Sequence, residues 1–390
     1  MNSSSSLLDY AELMESLSIP RPAGSKAAAS VRQALLDWLS TRGVSHRIHS
    51  FRLYPYFFIC IGTWLILFSA LLAVSIWLDW GWLTLAIALV GLLGGLGDMA
   101  YNLPLVSWPG VTQGHNILIE LAPPNPSQEL ILSAHYDSKT ELLDHRQRMF
   151  FLKNLRTGIL LTLLLGILGP LNQFLILRLL LTLPFLIFAW GLGLNLSLGR
   201  LRRPSQGAVD DGAACAVLLK LAQRYSVHPF PLENTRLTLA LFDGEEVNMQ
   251  GSRAYTRSRS WLLPTVAVNL EVLGQNGEYV FWQQDGTSLK LLPVSEALTN
   301  AVCSAVTAVT GETVRPAGPV NSDGGSFLFA GIPAAILGTY DRVLKDRGFH
   351  SPADNLGRIL LPRLQEAEEI LSCFMNTVDS DLLALKIHQP

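Results

Sequence analysis

Residues 237–255 read LTLALFDGEEVNMQGSRAY, and the fold turns on how the first half of that stretch ends. An apolar run of strand character stops at Asp243, Glu245 and Glu246, with Gly244 as the only relief. Carboxylates side by side repel one another and are costly to gather unless a positive charge holds them together. The stretch is either a solvated turn or a site that awaits a cation.

Four further runs share its character: HNILIEL (115–121), ELILSAH (129–135), TVAVNLEVLG (265–274) and IPAAILGTY (332–340). Each is short, rich in branched residues and bounded by Gly, Pro, Asn or Asp, which predicts buried strands. Helical patterns lie around them. GSKAAASVRQALLDWLSTRG (24–43) carries Val31, Leu35, Leu36 and Leu39 on one face, and DDGAACAVLLKLAQRY (210–225) and RLQEAEEILSCFMNTVDSDLLAL (363–385) also read as helices. Together these predict an α/β fold, a mostly parallel twisted central sheet flanked by helices.

The 390 residues suffice for one large domain or two smaller ones. Lys+Arg 29 against Asp+Glu 31 leaves no global field to recruit a polyanion, so nucleic acid is not an expected partner. Charged residues at 15% fall below the roughly 25% of an ordinary globular domain. Hydrophobic residues reach 49%, with a mean hydropathy of +0.31, so part of the chain belongs in lipid. Two long apolar blocks account for it. The first, broken at Asp79, gives spans over 56–78 and 81–99; the second, broken at GPLNQ, gives 158–170 and 173–196. A bilayer core needs about 20 apolar residues per helix, and all but the third come close.

Two transmembrane hairpins, 56–99 and 158–196, return the chain each time to the side it left. Residues 1–55, 100–157 and 197–390 are therefore expected to form one domain on one face of the bilayer. Arg47, Arg52, Arg146, Arg148, Lys153, Arg156, Arg200, Arg202 and Arg203 flank the spans on that side, against Arg178 alone in the opposite stretches. Basic flanks mark the cytoplasmic side, which places the soluble domain there. MNSSSSLLDYAELMESLS lacks a basic region followed by an apolar core and predicts no cleaved secretory signal. Cys60, Cys215, Cys303 and Cys373 are too scattered for a disulfide framework or a zinc ribbon and fit a reducing compartment.

In open α/β sheets functional groups gather beyond the carboxyl ends of the strands. ELILSAHYD ends at His135 and Asp137, RLTLALFDGEE at Asp243, Glu245 and Glu246, and TVAVNLE at Glu271; GAVDD brings Asp210 and Asp211, and GFHSPADN brings His350. Taken singly these have mundane readings: a surface turn at HYD, a helix cap at DD, a solvated loop at GEE. Glu271 inside an apolar strand is different, because a buried lone carboxylate must be protonated, paired or bound to metal. Two histidines with several carboxylates at strand ends make a nitrogen and oxygen ligand set suited to Zn²⁺. A carboxylate beside a ligand carboxylate can act as general base.

HYD, GAVDD, FDGEE, NLE and FHSPAD, in this order, resemble the di-zinc exopeptidases of metallopeptidase family M28, which also includes glutaminyl cyclases; IPRPAGS (19–25) resembles that family's N-terminal segment. The resemblance implies a zinc-exopeptidase fold of the phosphorylase/hydrolase-like type and two zinc ions bridged by Asp210. His135 and Glu271 would complete one metal site, Glu246 and His350 the other. It further implies Glu245 as general base, Asp137 as the group that orients the His135 ring, and a cis peptide between Asp210 and Asp211. Peptides with a free N-terminus and the lipid bilayer are the implied partners, and removal of N-terminal residues the implied activity.

Three departures stand out. Many members have Asp where Glu271 stands, many have His after the Ser-Asp pair where this chain has Gly324, and the second hairpin replaces the short link between HYD and DD. A glutaminyl cyclase with one zinc is the alternative, suggested by HYDSK, FDGEE and Cys215 and opposed by Asp211 and Phe349. An inactive interaction domain of the same fold is a further one. A transporter is disfavoured by the scarcity of ionisable residues in the spans.

Overall fold

The computed structural model describes residues 3–171, 174–227, 229–341 and 348–381. The chain divides into two compact units, Met1–Leu53, Thr112–Lys139 and Ser205–Pro390 forming one, Tyr54–Val111 and Thr140–Pro204 the other.

The first unit is built on strands β1 (Arg47–Leu53), β2 (Thr112–Leu121), β3 (Gln128–His135), β4 (Thr235–Phe242), β5 (Thr265–Glu271), β6 (Gly277–Trp282), β7 (Gln284–Gly286), β8 (Leu291–Pro293), β9 (Arg315–Ala317) and β10 (Ala334–Asp341). Eight of them make one sheet in the order β1-β2-β4-β3-β5-β10-β6-β9, and β7 pairs with β8. The central strands β4, β3, β5 and β10 run parallel. Both flanks reverse direction, β2 against β4 with β1 beyond it, and β6 against β10. All five apolar runs are strands, but HNILIEL runs antiparallel to its neighbour. Apolar periodicity reports burial and carries no direction.

Along β3, Leu130 and Leu132 join one core while Ile131 joins another; β4 divides Leu239 and Leu241 from Ala240 and Phe242 in the same way. Such alternation means that both sheet faces are covered. In chain order the helices are α1 (Ser3–Leu17), α2 (Lys26–Thr41), α3 (Phe57–Trp77), α4 (Trp82–Tyr101), α5 (His145–Lys153), α6 (Leu155–Leu168), α7 (Leu175–Leu198), α8 (Ala213–Tyr225), α9 (Gln250–Ser258), α10 (Glu296–Thr310), α11 (Asp323–Phe329) and α12 (Leu361–Asp381). Residues from α1, α2, α8, α10 and α12 cover one face, and Tyr255 of α9 and Phe327 of α11 help to cover the other.

The second unit holds α3 to α7. Its core is Phe68, Leu72, Ile76, Ala88, Leu165, Phe185 and Ala189, while Leu67, Leu71, Val74, Leu89, Val90, Leu93, Ile176, Leu180, Leu183 and Ile187 face outward. The outer surface of this unit is therefore broadly apolar. Among the described residues three helices are long and apolar enough to cross a membrane, Phe57–Trp77, Trp82–Tyr101 and Ile176–Leu201. The third expected span is α6, with 14 residues, and α5 precedes it across a 44° bend. The expected break at GPLNQ includes residues 172–173, and the end of the last helix pattern runs past 381; both lie outside the described residues.

Residues 100–111 and 140–157, grouped with the catalytic pieces from sequence, go with the helices. Asp98 accepts the backbone N–H groups of Leu105, Val106 and Ser107, and Asn195 accepts that of Leu143, which ties both loops to helix ends.

Candidate metal centre

Because β4, β3 and β5 are adjacent and parallel, their carboxyl ends coincide, and His135 lies directly beside Phe242 in the register. FDGEE therefore begins next to the histidine. Gly244, at φ +75, turns the chain so that Glu245 and Glu246 enter a 3-10 turn over the sheet edge. Glu271 closes β5, Asp210 comes from the loop before α8, and His350 from the loop before α12.

Asp210 is the common member. Its Oδ1 lies 3.2 Å from His135 Nε2 and its Oδ2 3.2 Å from His350 Nε2, while His350 Nε2 is 2.9 Å from Glu246 Oε1. His135, Asp210 and Glu271 form one group with ligand atoms within 4.8 Å of one another, and Asp210, Glu246 and His350 form a second. All five sequence-derived ligands are thus brought together, with one carboxylate shared. The peptide between Asp210 and Asp211 is cis, in keeping with the resemblance.

The donor set fits a metal. His135 Nε2 and Glu246 Oε1 are buried and lack an aligned hydrogen-bond partner, although opposite charges are near. Burial alone would keep the His135 ring neutral, yet Glu245, Asp137 and Asp210 outweigh it and push its pKa well up. Burial raises Glu271 and Glu245; Glu245 raises Glu271 further, and Glu246, Asp323 and Asp137 raise Glu245. A cluster that favours positive charge at its centre is a cluster short of cations.

Asp137 does more than sequence reading implied. The His135 Nδ1 faces the Asp137 backbone carbonyl at 3.1 Å, with the carboxylate at 3.6 Å. The carboxylate instead accepts the backbone N–H groups of Glu245 at 3.1 Å and Glu246 at 3.2 Å. One residue therefore orients the ring and fixes the loop that supplies both glutamates. Asp243 anchors the same loop by accepting the His115 N–H, and burial, with Asp137 adding, pushes its carboxyl up to about 7.

Other residues escaped the sequence argument. Asp354, the last residue of HSPAD, accepts the Val209 N–H at 2.7 Å and the Ser205 hydroxyl at 3.2 Å, holding the loop that bears Asp210. Asn269, two residues before Glu271 on the same strand face, donates to Glu271 Oε2 and to Ser322 Oγ, both at 3.1 Å. Ser322 in turn donates to Asp285 at 2.6 Å. Only the i, i+2 spacing of Asn269 and Glu271 could have hinted at this. Asp285 also explains Gly324, since a Cβ there would lie 2.7 Å from its Oδ2 and 3.0 Å from Ile336. Asp323 is fully buried, leaves both oxygens without hydrogen-bond partners and is near enough to raise Glu245.

The fold recurs in solved structures. An aminopeptidase from Aneurinibacillus sp. strain AM-1 superposes with a TM-score of 0.56 at 15% identity, covering 95% of this chain and 93% of its own. A glutaminyl cyclase from Porphyromonas gingivalis gives 0.55 at 13%, covering 97% and 98%. A zinc aminopeptidase from Bacillus subtilis gives 0.54 at 13%, covering 96% and 94%. At such identities the likeness speaks for the fold alone.

Endoplasmic reticulum metallopeptidase 1 from Mus musculus and from Rattus norvegicus are each 28% identical over 188 residues, 46% of this chain. The match spans only 20% of the length of these relatives. The sequence pattern of Peptidase family M28 matches residues 181–375, half of the chain, which carry Asp210, Glu245, Glu246, Glu271 and His350. Fold, site and sequence pattern agree, and the chain belongs to peptidase family M28.

Proposed function

We propose that the chain is a membrane-embedded zinc aminopeptidase whose helical unit spans the bilayer. The observation that carries the catalytic reading is Asp210, which offers one oxygen to each of two histidine-carboxylate groups. His135, Asp210 and Glu271 would hold one zinc ion, and Asp210, Glu246 and His350 a second. Bound zinc supplies a Lewis acid and lowers the pKa of a water to near neutrality.

Glu245 is the residue placed to move protons. Its Oε2 lies 3.8 Å from His135 Nε2, so it stands beside the ligands. Burial first, then Glu246 and Asp323, raise its affinity for a proton. A base so tuned takes a proton from the attacking water and passes it to the departing amine. The buried Asp323 carboxyl, pushed up to about 7 by burial, would supply negative charge to the ammonium of a free N-terminus, which would make the enzyme cut single residues from peptide ends.

The outward apolar face of the helical unit supports the membrane reading, and the nine basic flanking residues support a cytoplasmic catalytic side. A single-zinc glutaminyl cyclase is the alternative, and the shared Asp210 favours two ions.

Metal analysis of the purified full chain, with turnover of aminoacyl-anilides and of N-terminal Gln peptides, tests the proposal. Two zinc ions per chain and anilide hydrolysis lowered about 10²- to 10⁴-fold by Glu245→Gln with zinc retained are expected. One zinc with ammonia release from Gln peptides would overturn it.

A further inference from the structure

Arg21, from IPRPAGS, is fully buried, one of the two largest side chains so enclosed. Among the described residues no carboxylate lies within ion-pair distance of it. Instead its guanidinium donates to five backbone carbonyls on three chain segments. Nε meets Tyr136 O; Nη1 meets Leu17 O, Ile19 O at 3.2 Å and Gln206 O at 2.6 Å; Nη2 meets Gly207 O at 2.8 Å. Its own backbone is tied in too, its N–H donating to Ser138 Oγ at 2.9 Å while the Ser138 N–H donates to Arg21 O.

These carbonyls are not scattered. Tyr136 sits between His135 and Asp137, and Gly207 lies three residues before Asp210. His135 is fixed by the β3 ladder, whereas the 205–212 loop belongs to no ladder and needs another fastening. The space is shaped for the guanidinium: a Cβ on Gly207 would lie 3.0 Å from Nη1, and one on Gly212 3.2 Å from Nη2. A planar fork of five donors can bridge two such strands of chain rigidly, which a lysine ammonium cannot. Its permanent charge also offsets the buried carboxylates of Asp137, Asp211 and Asp354 without competing for a ligand atom.

We infer that Arg21 is a positioning residue for the metal centre, setting the Asp210 loop at its distance from His135. The inference rests on the zinc reading above. It concerns zinc affinity more than folding, since groups that orient metal ligands change affinity about 10- to 100-fold when lost.

The test is zinc affinity, measured by chelator competition on the metal-stripped full chain, with thermal unfolding of the same stripped samples. Arg21→Lys is compared with Arg259→Lys, a control that disturbs the part-buried Arg259–Glu129 pair away from the centre. The expected result is zinc binding weakened 10- to 100-fold in R21K and changed less than twofold in R259K. Wild-type affinity in a folded R21K, or parallel weakening in both variants at equal loss of stability, overturns the inference. Should R21K fail to fold, Ser138→Ala decides, with 3- to 10-fold weakening expected and a change under twofold overturning it. A wild-type protein that binds no zinc overturns the reading beneath, and this one with it.

Discussion

Asp137 and Asn269 show how much of this centre depends on residues that do not themselves hold a metal. An Asp137→Asn change keeps the shape but turns one oxygen, now an acceptor for a loop N–H, into a donor facing a donor. The expected result is a 10- to 100-fold fall in kcat with the fold intact, checked by circular dichroism beside anilide turnover. The Asn269 amide has its orientation fixed by its neighbours, for Ser133 Oγ donates to its oxygen at 2.7 Å while its two hydrogens serve Glu271 and Ser322. Asp285 keeps the order by requiring the Ser322 proton. Ser322→Ala removes the middle link, leaving Asn269 one donor short of a partner and Glu271 freer to turn. Zinc content should then fall toward one ion per chain on mild chelation, while wild type keeps two; equal retention would remove this chain of bonds from the account.

At the scale of elements, the central strands and His135, Glu246 and Glu271 were legible because apolar runs ended in polar residues, whereas Asp210 and His350 lie in loops and were found through the resemblance of GAVDD and FHSPAD to the family. The β1 strand RIHSFRL was not legible, because an edge strand with four of seven residues exposed carries no apolar pattern. The short strands β6 to β9 gave too little length for a pattern. The Arg21 clamp and the Asn269–Ser322 bond join positions 186 and 53 residues apart, and no local spacing records such approaches. Arg178 is a similar case within the helical unit. Read from sequence as the lone basic residue of the stretches opposite the basic flanks, it is fully buried on α7, donating to Gly169 O at 2.8 Å and lying 2.8 Å from Asp79 in the turn between α3 and α4. It thereby ties the turn of one hairpin to the other. Asp79→Leu should lower unfolding stability in detergent by about 1–3 kcal/mol, less than a fully buried pair because Asp79 is 41% exposed. Joint replacement of Asp79 and Arg178 by Leu should recover most of that loss; a double variant as unstable as the single would remove the pair as a tie between hairpins.

For the molecule as a whole, the unit that carries the sheet buries many acids, and the proposed zinc ions would offset part of their charge. Burial raises the carboxyl of Asp285 from the usual 3.8 to about 7, although Ser322 and Gly286 donate to it, and raises Asp354 to about 6, helped by Asp210. Neither residue is a proposed ligand. A carboxyl whose folded pKa lies above its unfolded value holds its proton while the unfolded chain has released it. Between about pH 4 and 7 the unfolded state therefore binds fewer protons, and the stability of the metal-free protein falls as pH rises. Zinc acts in the opposite sense, since ligands must be deprotonated to bind it and the ion stabilises the folded state by mass action. The gap between the melting temperatures of zinc-loaded and stripped protein should widen steadily from pH 5 to pH 7.5. Asp285→Asn, with no charge to desolvate, should flatten the slope of the stripped protein over the same range. Scanning calorimetry on both forms measures this, and a stripped protein that gains stability from pH 5 to 7 would show that these acids ionise in the fold without cost.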